Sequence, residues 1–220
     1  MSDSTVEGVL LRLIEPKDGA KTDLGTLSTH PTLPNIQKTY TAVADDGEKP
    51  SRLVLHVVSD INPLLSSSQF FEDDVKANPN VTLSWIVCGF INGRDAGAPN
   101  TDAPSTVHLL SYEPTPNSKI VINGGTPRPD KEHEYHDWYN QEHGTALAGV
   151  PGWNAGRRYS LQKSYGEIET ANFYGFNYYD EDSGLGGPIW QKNTKTEWTY
   201  RIRGNAARPN IRRVWKVQGF

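Results

Sequence analysis

Two distant segments of the chain end in the same pattern, Trp-x-Val-x-Gly-Phe, which begins at Trp85 and again at Trp215. Three further pairs of strand-like runs recur in the same order, 8–16 with 106–114, 38–47 with 157–166, and 52–60 with 172–180. Four correspondences in one order predict an internal duplication. We therefore expect a degenerate half over residues 1–100 and a complete half over residues 101–220, so that the fold is built from two related units.

Each half shows a strand, a connection, two strands, a helix and a last strand. Runs of β-branched and aromatic residues predict the strands, and the helix after the third strand is expected at 61–77 and at 182–200. Between its first two strands the second half holds a further helical stretch, 131–150, where the first half has only a short loop, 18–36. A linker rich in Pro, Asn and Gly, 92–105, joins the halves.

The complete unit, β-α-β-β-α-β, is the ferredoxin-like motif. Helices cover one face of its sheet, and the other face must be buried by something else. Two copies in one chain predict sheet against sheet. The expected fold class is therefore α+β, with tandem ferredoxin-like repeats forming an α+β barrel around a cavity, closed either within one chain or between two chains.

The composition of the chain excludes several classes of protein. A net charge of −4 argues against a nucleic-acid binder, and the basic stretch 201–220 is better explained as a solvated rim. The single cysteine, Cys88, excludes a disulfide framework and a cysteine-rich zinc site. The spacing of His133, His136 and His143 does not place all three on one helix face, so no metal site is expected. The sequence shows no signal peptide and no membrane span, which predicts a cytoplasmic protein without a membrane partner.

The stretch HDWYNQEHGTALAGVPGWNAGRRY, residues 136–159, resembles the EthD-type branch of the dimeric α+β barrel superfamily, which shares the order His-x-Trp-Tyr-x-x-Glu-His, Val-Pro-Gly-Trp and Arg-Arg-Tyr. The resemblance implies cofactor-free decarboxylation, dehydration or cyclisation of aromatic or polyketide-like substrates, and fungal members of this size often occur in secondary metabolism. The chain departs from the pattern at Gly144, where many relatives continue with Leu-Pro. Because the first half lacks the pattern, one site per chain is expected.

A helical wheel of this stretch places a carboxylate within an apolar face. At about 100° per residue, one arc holds Tyr135, Trp138, Tyr139, Glu142, Ala146 and Val150. A half-buried Glu142 must find a partner or change its pKa, and an ion pair with Arg157 or Arg158 is one alternative. The other alternative is catalysis, in which Glu142 assists His143 at the edge of the arc, because an imidazole can act as general base or acid near neutral pH. A packed, hydrogen-bonded His143 also remains open.

Alternation in the first strand of each half separates a smooth apolar face from a mixed one. The smooth face, which includes Val9 and Leu13, is expected to lie under helices. Arg12, His108 and Tyr112 would then face the barrel interior. For His108, a hydrogen-bonded core histidine is the alternative.

Two later strands carry candidate binding groups. Tyr174 and Phe176 share a face that either lines a pocket for a flat substrate or packs as ordinary core. Arg213 shares a strand face with Trp215. If that face is inward, the guanidinium is expected to hold a carboxylate or a phenolate.

These observations favour a cofactor-independent tailoring enzyme, a lyase or cyclase, that acts on an aromatic or polyketide-like secondary metabolite in the internal barrel cavity. His143 and Glu142 are the predicted catalytic residues. The predicted substrate-binding residues are His108, Tyr112, Trp138, Tyr139, Arg158, Tyr159, Tyr174, Phe176, Arg213 and Trp215. No cofactor and no metal are predicted, the expected partner is a hydrophobic small molecule, and the chain is expected as a monomer or a homodimer.

Three alternatives remain open at this point. The cavity could only fold a reactive substrate for a pericyclic step, in which case no single residue is essential. The chain could instead be a non-catalytic protein that binds a hydrophobic metabolite, or a stress protein. The third alternative is a haem- or oxygen-using monooxygenase, for which His143 or His108 would be the axial ligand.

Overall fold

The computed structural model describes residues 4–18, 32–97 and 104–219. The strands of these segments are β1 (Gly8–Pro16), β2 (Ile36–Ala44), β3 (Arg52–Val58), β4 (Val81–Asp95), β5 (Lys119–Gly125), β6 (Trp153–Tyr165), β7 (Phe173–Tyr179) and β8 (Ile211–Val217). The α-helices are α1 (Asn62–Ser66), α2 (Gln69–Ala77), α3 (Glu132–Trp138), α4 (Gly144–Ala148), α5 (Pro188–Asn193) and α6 (Glu197–Gly204). None of these helices combines the length and the apolar character needed to cross a membrane.

The strands form one closed antiparallel barrel in the order β1-β3-β2-β8-β5-β7-β6-β4. Within it, the first four strands run β4-β1-β3-β2 and the last four run β8-β5-β7-β6. If the four strands of each set are numbered along the chain, both sets have the same spatial order, with the fourth strand beside the first, then the third, then the second. The sets join at β2 with β8 and at β4 with β6, so the barrel closes within a single chain. The predicted α+β fold class, with ferredoxin-like units in tandem, is confirmed.

The first strand of the second half lies later than predicted. Residues 106–114 form no strand, and the strand in that place is β5. The Glu-Pro ending shared with β1 was misleading, because Val107 and Leu109 are exposed while Ile120 and Ile122 of β5 fill the barrel. Residues 104–113 instead cross one end of the barrel, and we call this segment the plug.

The connections differ from the prediction in smaller ways. The expected linker 92–105 begins inside β4, and residues 98–103 of it lie outside the described residues. The expected short loop 18–36 also falls largely outside them, over 19–31. The helix expected at 61–77 is divided into α1 and α2, and the one expected at 182–200 is divided into α5 and α6.

The two faces of β1 are the reverse of those predicted. Leu11 and its smooth-face neighbours belong to the barrel core, whereas Arg12 points outward beneath α2. There Arg12 donates to both carboxylate oxygens of Asp74 (2.7 and 2.8 Å), and neither side chain is exposed. Trp85 and Asn78 also donate to the Asp74 carboxylate, at 3.0 and 2.9 Å. The closed interior takes the purely apolar face, and the outer face can hold a charge because a helix supplies its partner.

The two ends of the barrel are unlike each other. The plug covers one end, where Arg157 donates to the carbonyl oxygens of His108 (2.9 Å) and Leu109 (2.7 Å). The turns 45–51 and 166–172 surround the other end, which we call the mouth. The mouth opens onto a cavity in the barrel interior, and a smaller cavity lies at the plugged end beside His108 and Tyr40.

Candidate functional site

The stretch with the family-like pattern folds as α3, one π-helical turn over Tyr139–His143, and α4. The backbone N–H of Gly144 donates to the carbonyl oxygen of Tyr139, five residues back. A Cβ atom at Gly144 would lie 2.8 Å from that oxygen, closer than ordinary contact allows. Glycine at this position therefore accommodates the wider turn, a feature often found at functional sites.

The π-turn changes which side chains face the sheet. Residues five apart now lie over one another, and the indole of Trp138 stacks on the imidazole of His143 (ring centroids 4.1 Å apart, planes at 19°). His143 is buried, and Glu142 is turned aside to accept a hydrogen bond from the Thr196 hydroxyl at 2.6 Å. The regular wheel placed Glu142 on the apolar arc and His143 at its edge. The extra residue in the turn explains this difference, and the partner of Glu142 is a threonine rather than an arginine.

A cavity of about 100 Å³ lies between this turn and the outer face of β5, β7 and β8. We call it the histidine pocket. Its helical wall carries His143 and Trp138, and its sheet wall carries Asn123 and Asn177. Further lining residues include Tyr135, Tyr139, Trp190, Thr194, Arg203 and Arg212.

His143 is neutral in this pocket. Burial, together with the positive charges of Arg203 and Arg158, lowers the pKa of His143 to about 3. Its Nδ1 atom is buried and finds no hydrogen-bond partner among the described residues. A neutral imidazole beside two cations can accept a proton from a ligand, but it does not itself carry a charge at pH 7.

Arg158 lies on the far side of Tyr139 from the histidine pocket. Its guanidinium lies 4.4 Å from the centre of the Tyr139 ring and donates to Asn140 Oδ1 (3.1 Å) and to His136 Nδ1 (2.6 Å). Burial and the charge of Arg158 lower the pKa of His136 to about 4, consistent with an Nδ1 that accepts. Arg158 is thus a buried cation with no carboxylate partner in the described part of the chain.

The structure does not bring the predicted site residues into one cavity. Those in the layer between helices and sheet are Trp138, Tyr139, Glu142, His143 and Arg158. Those inside the barrel are Tyr159, Tyr174, Phe176 and Trp215, with Arg213 at the mouth. His108 and Tyr112 are on the plug. The sheet itself separates the two predicted catalytic residues from the barrel interior.

His108 closes the plugged end and lies on no strand. Its ring is 4.8 Å from that of Phe90 and 5.7 Å from that of Tyr159, and neither ring nitrogen has a partner among the described residues. Burial and the charge of Arg157 lower the pKa of His108 to about 4. The alternative of a hydrogen-bonded core histidine therefore does not describe it.

Arg213 faces inward at the mouth, but it already has partners. Its Nε donates to Asp46 (3.0 Å), and its Nη2 donates to the carbonyl oxygens of Glu48 and Pro50 (2.9 Å each). The guanidinium also lies 4.4 Å from the Trp215 ring. Arg213 therefore holds the turn 45–51 over the mouth and is not available as an anion site.

Sequence reasoning missed the two arginines of the histidine pocket and the two asparagines of its sheet wall. Arg203 and Arg212 were visible only as part of the basic stretch near the C-terminus, with nothing to connect them to His143. The connection comes from the sheet order, because β8 lies beside β5 and brings Arg212 under the π-turn. Asn123 and Asn177 gave no signal of their own.

No protein-family model matches the chain, and no curated protein matches it by sequence. Solved structures do match its fold. An anthrone oxidase-like protein has a TM-score of 0.62 at 12% identity, covering 99% of this chain and 93% of that one. A putative monooxygenase from Fusobacterium nucleatum has a TM-score of 0.62 at 13% identity, covering 98% and 94%. A mutant chlorite dismutase from Candidatus Nitrospira defluvii has a TM-score of 0.58 at 10% identity, covering 97% and 92%. At these identities the similarity shows a shared fold.

A haem does not fit the histidine pocket. The pocket, at about 100 Å³, is smaller than the roughly 150 Å³ cavity that holds one benzene molecule. The neighbouring space is filled by Tyr135 and Tyr139. Their hydroxyl groups pack so closely on Gly125 and Gly175 that a Cβ atom at either glycine would collide with them. Across residues 4–18, 32–97 and 104–219, no three His, Cys, Asp or Glu side chains come together as metal ligands.

Proposed function

We propose that this chain is an enzyme that works without a resident cofactor and moves a proton on the acidic end of an aromatic substrate, as a lyase or cyclase does. Dehydration and aldol-type cyclisation need a base that removes a proton, and decarboxylation of an aromatic acid needs a proton delivered to the ring carbon that loses CO2. The observation that carries the proposal is the buried, neutral His143, with Nδ1 unpartnered, in the wall of a pocket that two arginines also line.

The two arginines supply the binding step. Arg203 donates to the carbonyl oxygen of Thr194 at 3.4 Å, and Arg212 lies 5.7 Å from the ring of Trp190. Neither forms an ion pair with a carboxylate of the described residues. Both guanidiniums can therefore receive a carboxylate or a phenolate. A planar, forked donor matches a carboxylate best, because it can form two parallel hydrogen bonds with it.

Binding of an anion then strengthens the base. The charge of Arg203 is one of the causes that lower the pKa of His143. An anionic substrate cancels part of that charge, so the pKa of His143 rises toward its ordinary value of 6.5. Proton abstraction by His143 is therefore favoured only when the substrate is in place. Burial, the larger cause, persists in the complex.

The size of the pocket limits what can enter it. A volume of about 100 Å³ admits the acidic head of a substrate and leaves the remainder outside the pocket. Glu142 does not line this pocket, and its bond to Thr196 fixes the π-turn against the start of α6. We assign Glu142 a positioning role rather than contact with the substrate.

The first experiment measures turnover of hydroxylated aromatic carboxylic acids and of a hydroxyanthrone, with product masses recorded in air and under argon. His143→Gln is expected to lower turnover by at least about 100-fold, the usual contribution of a general base. His133→Gln is the matched control, since His133 is on the same helical stretch with 93% of its side chain exposed. Equal turnover in both folded variants would contradict proton transfer by His143.

An oxygen-using version shares the first step. The names of the oxidase-like and monooxygenase structures support it at the level of fold. In this version O2 oxidises the deprotonated substrate at a CH2 carbon. One oxygen atom becomes the oxygen of a new C=O group and the other leaves as water, so no further reductant is needed. Substrate loss in air but not under argon, with matching O2 uptake, would select this version. Tight binding with no product under either gas would select a non-catalytic binding protein and overturn the proposal.

A further inference from the structure

A second, larger cavity lies inside the barrel and opens at the mouth. Its volume is about 350 Å³, within the range of small-molecule sites. Leu11, Leu13, Ile86 and Ile122 line its inner part. The barrel wall separates it from the histidine pocket, and Arg212 lies at the edge of both cavities. The ligand inferred below is held by other residues, so it does not depend on the proposed function.

The inner wall offers little for water to bind. Aliphatic side chains dominate it, and an apolar lining of this kind is typical of sites that bind small apolar molecules. Tyr174 is also in the wall, and its hydroxyl oxygen accepts a hydrogen bond from the Ala171 N–H at 2.9 Å.

One polar group in this wall has no partner. Trp215 is 1% exposed, and its indole Nε1 finds no acceptor among the described residues. A buried donor without an acceptor costs free energy. A ligand that brings an acceptor oxygen into the cavity would recover that cost, whereas a pure hydrocarbon would not.

The charges around the mouth are largely neutralised within the protein. Arg213 is paired with Asp46 at 3.0 Å, and Lys49 with Glu15 at 2.9 Å. The other charged residues of the lining are Glu48, Glu169 and Arg212, and together they leave no excess of positive charge for an anion. The occupant favoured by this cavity is therefore uncharged.

We infer that the barrel interior is a binding site for one neutral aromatic ketone, or for a molecule with the same chemistry, a flat apolar body and a carbonyl oxygen. The rings lie among the aliphatic side chains, and the carbonyl oxygen accepts from Trp215 Nε1. Entry is through the mouth, where the cavity opens between the turns 45–51 and 166–172.

The first test compares two probes of nearly equal shape, 2-acetylnaphthalene and 2-ethylnaphthalene, by titration calorimetry of the full chain. Because a net hydrogen bond is worth about a factor of five in affinity, the ketone is expected to bind about fivefold more tightly, with one site per chain. Absence of saturable ketone binding up to its solubility limit would overturn the inference. Equal affinities would overturn the role of Trp215.

Three variants locate the site. Trp215→Phe keeps an aromatic ring, removes the N–H, and is expected to make the two affinities equal. Ile122→Phe fills the cavity and is expected to abolish binding of both probes. Trp198→Phe, in α6 outside the barrel, is the control and should bind both probes as the unchanged chain does. Ketone binding that survives Ile122→Phe in a folded protein would place the ligand elsewhere and overturn the inference.

Discussion

Each half of the molecule buries an arginine beneath its helices, and the two arginines have opposite surroundings. Under α2, Arg12 is matched by the Asp74 carboxylate, which takes further hydrogen bonds from Trp85 and Asn78. Under α3, Arg158 is held by a histidine nitrogen, an amide oxygen and an aromatic ring, and no carboxylate of residues 4–18, 32–97 and 104–219 pairs with it.

The difference between the two arginines assigns a stabilising role to the first layer and a chemical role to the second. A buried pair of opposite charges has little effect beyond its own contacts, so the first layer is a closed network. An unmatched buried cation acts on its neighbours. Burial is the main cause that lowers the pKa values of His136 and His143, and the charge of Arg158 lowers both further, with Arg203 also acting on His143. The same strand order thus carries a structural layer in one half and a polarised pocket in the other.

The largest effect is expected where the matched pair is broken. Asp74→Asn leaves the Arg12 charge buried without its partner, and we expect a loss of about 3–5 kcal/mol in the free energy of unfolding. Urea unfolding measures this loss. Asp73→Asn, one residue away on the exposed side of α2, is the control and should change stability little. Equal losses in the two variants would contradict the importance of the buried pair.

Gly175→Ala tests the close packing of the second layer. A Cβ atom there would collide with the Tyr139 hydroxyl, so the π-turn must move away from the sheet. We expect a loss of about 1–3 kcal/mol, as for other overpacked sites, measured by thermal unfolding. Gly204→Ala has open space around its Cβ position and serves as the comparison. A neutral effect of Gly175→Ala would mean that the layer adapts without cost.

Acid should weaken the protein partly through His143. Because the pKa of His143 is about 3 when folded and near 6.5 when unfolded, its contribution is complete above pH 6.5 and is lost as the pH falls toward 3. The loss at pH 5 is about 2 kcal/mol. His143→Phe should therefore flatten the stability profile between pH 7 and pH 5. Parallel profiles for the variant and the unchanged chain would refute the buried neutral imidazole.

The smallest effect is expected from Arg158→Met. It removes a buried cation that has no carboxylate partner, so no opposite charge is stranded, and we expect a loss of about 1–2 kcal/mol. Arg12→Met is the matched change in the other layer and should cost more, because it strands Asp74. In Arg158→Met the pKa of His143, followed by NMR, should rise. Equal costs for the two arginines would remove the contrast between the layers.

The sequence was sufficient for most strands, because β-branched and aromatic runs are local signals. It was not sufficient for the face of β1, since the partner that lets Arg12 point outward, Asp74, lies 62 residues away. The position of β5 was missed because residues 106–114 end in Glu-Pro as β1 does. The strand itself, at 119–125, lacks that ending.

The site was predictable in part for a related reason. The pattern around His143 identified the right helical stretch, and periodicity identified its buried aromatic face. The wheel assumed regular turns throughout, so it could not anticipate a π-turn at Gly144. The place of Arg212 depends on which strand lies beside β5, which is a property of the whole barrel, and the place of Arg203 depends on how α6 packs beside the π-turn.

The plug lies in the stretch of chain between the strands of the two halves. If the same eight strands came from two separate chains, no connection would cross the barrel there, and the assembly would be a tube with two entrances. Joined in one chain, the barrel is covered at one end by the segment that connects its two halves. Cleavage of the connecting segment would therefore open that end to solvent without breaking a single strand.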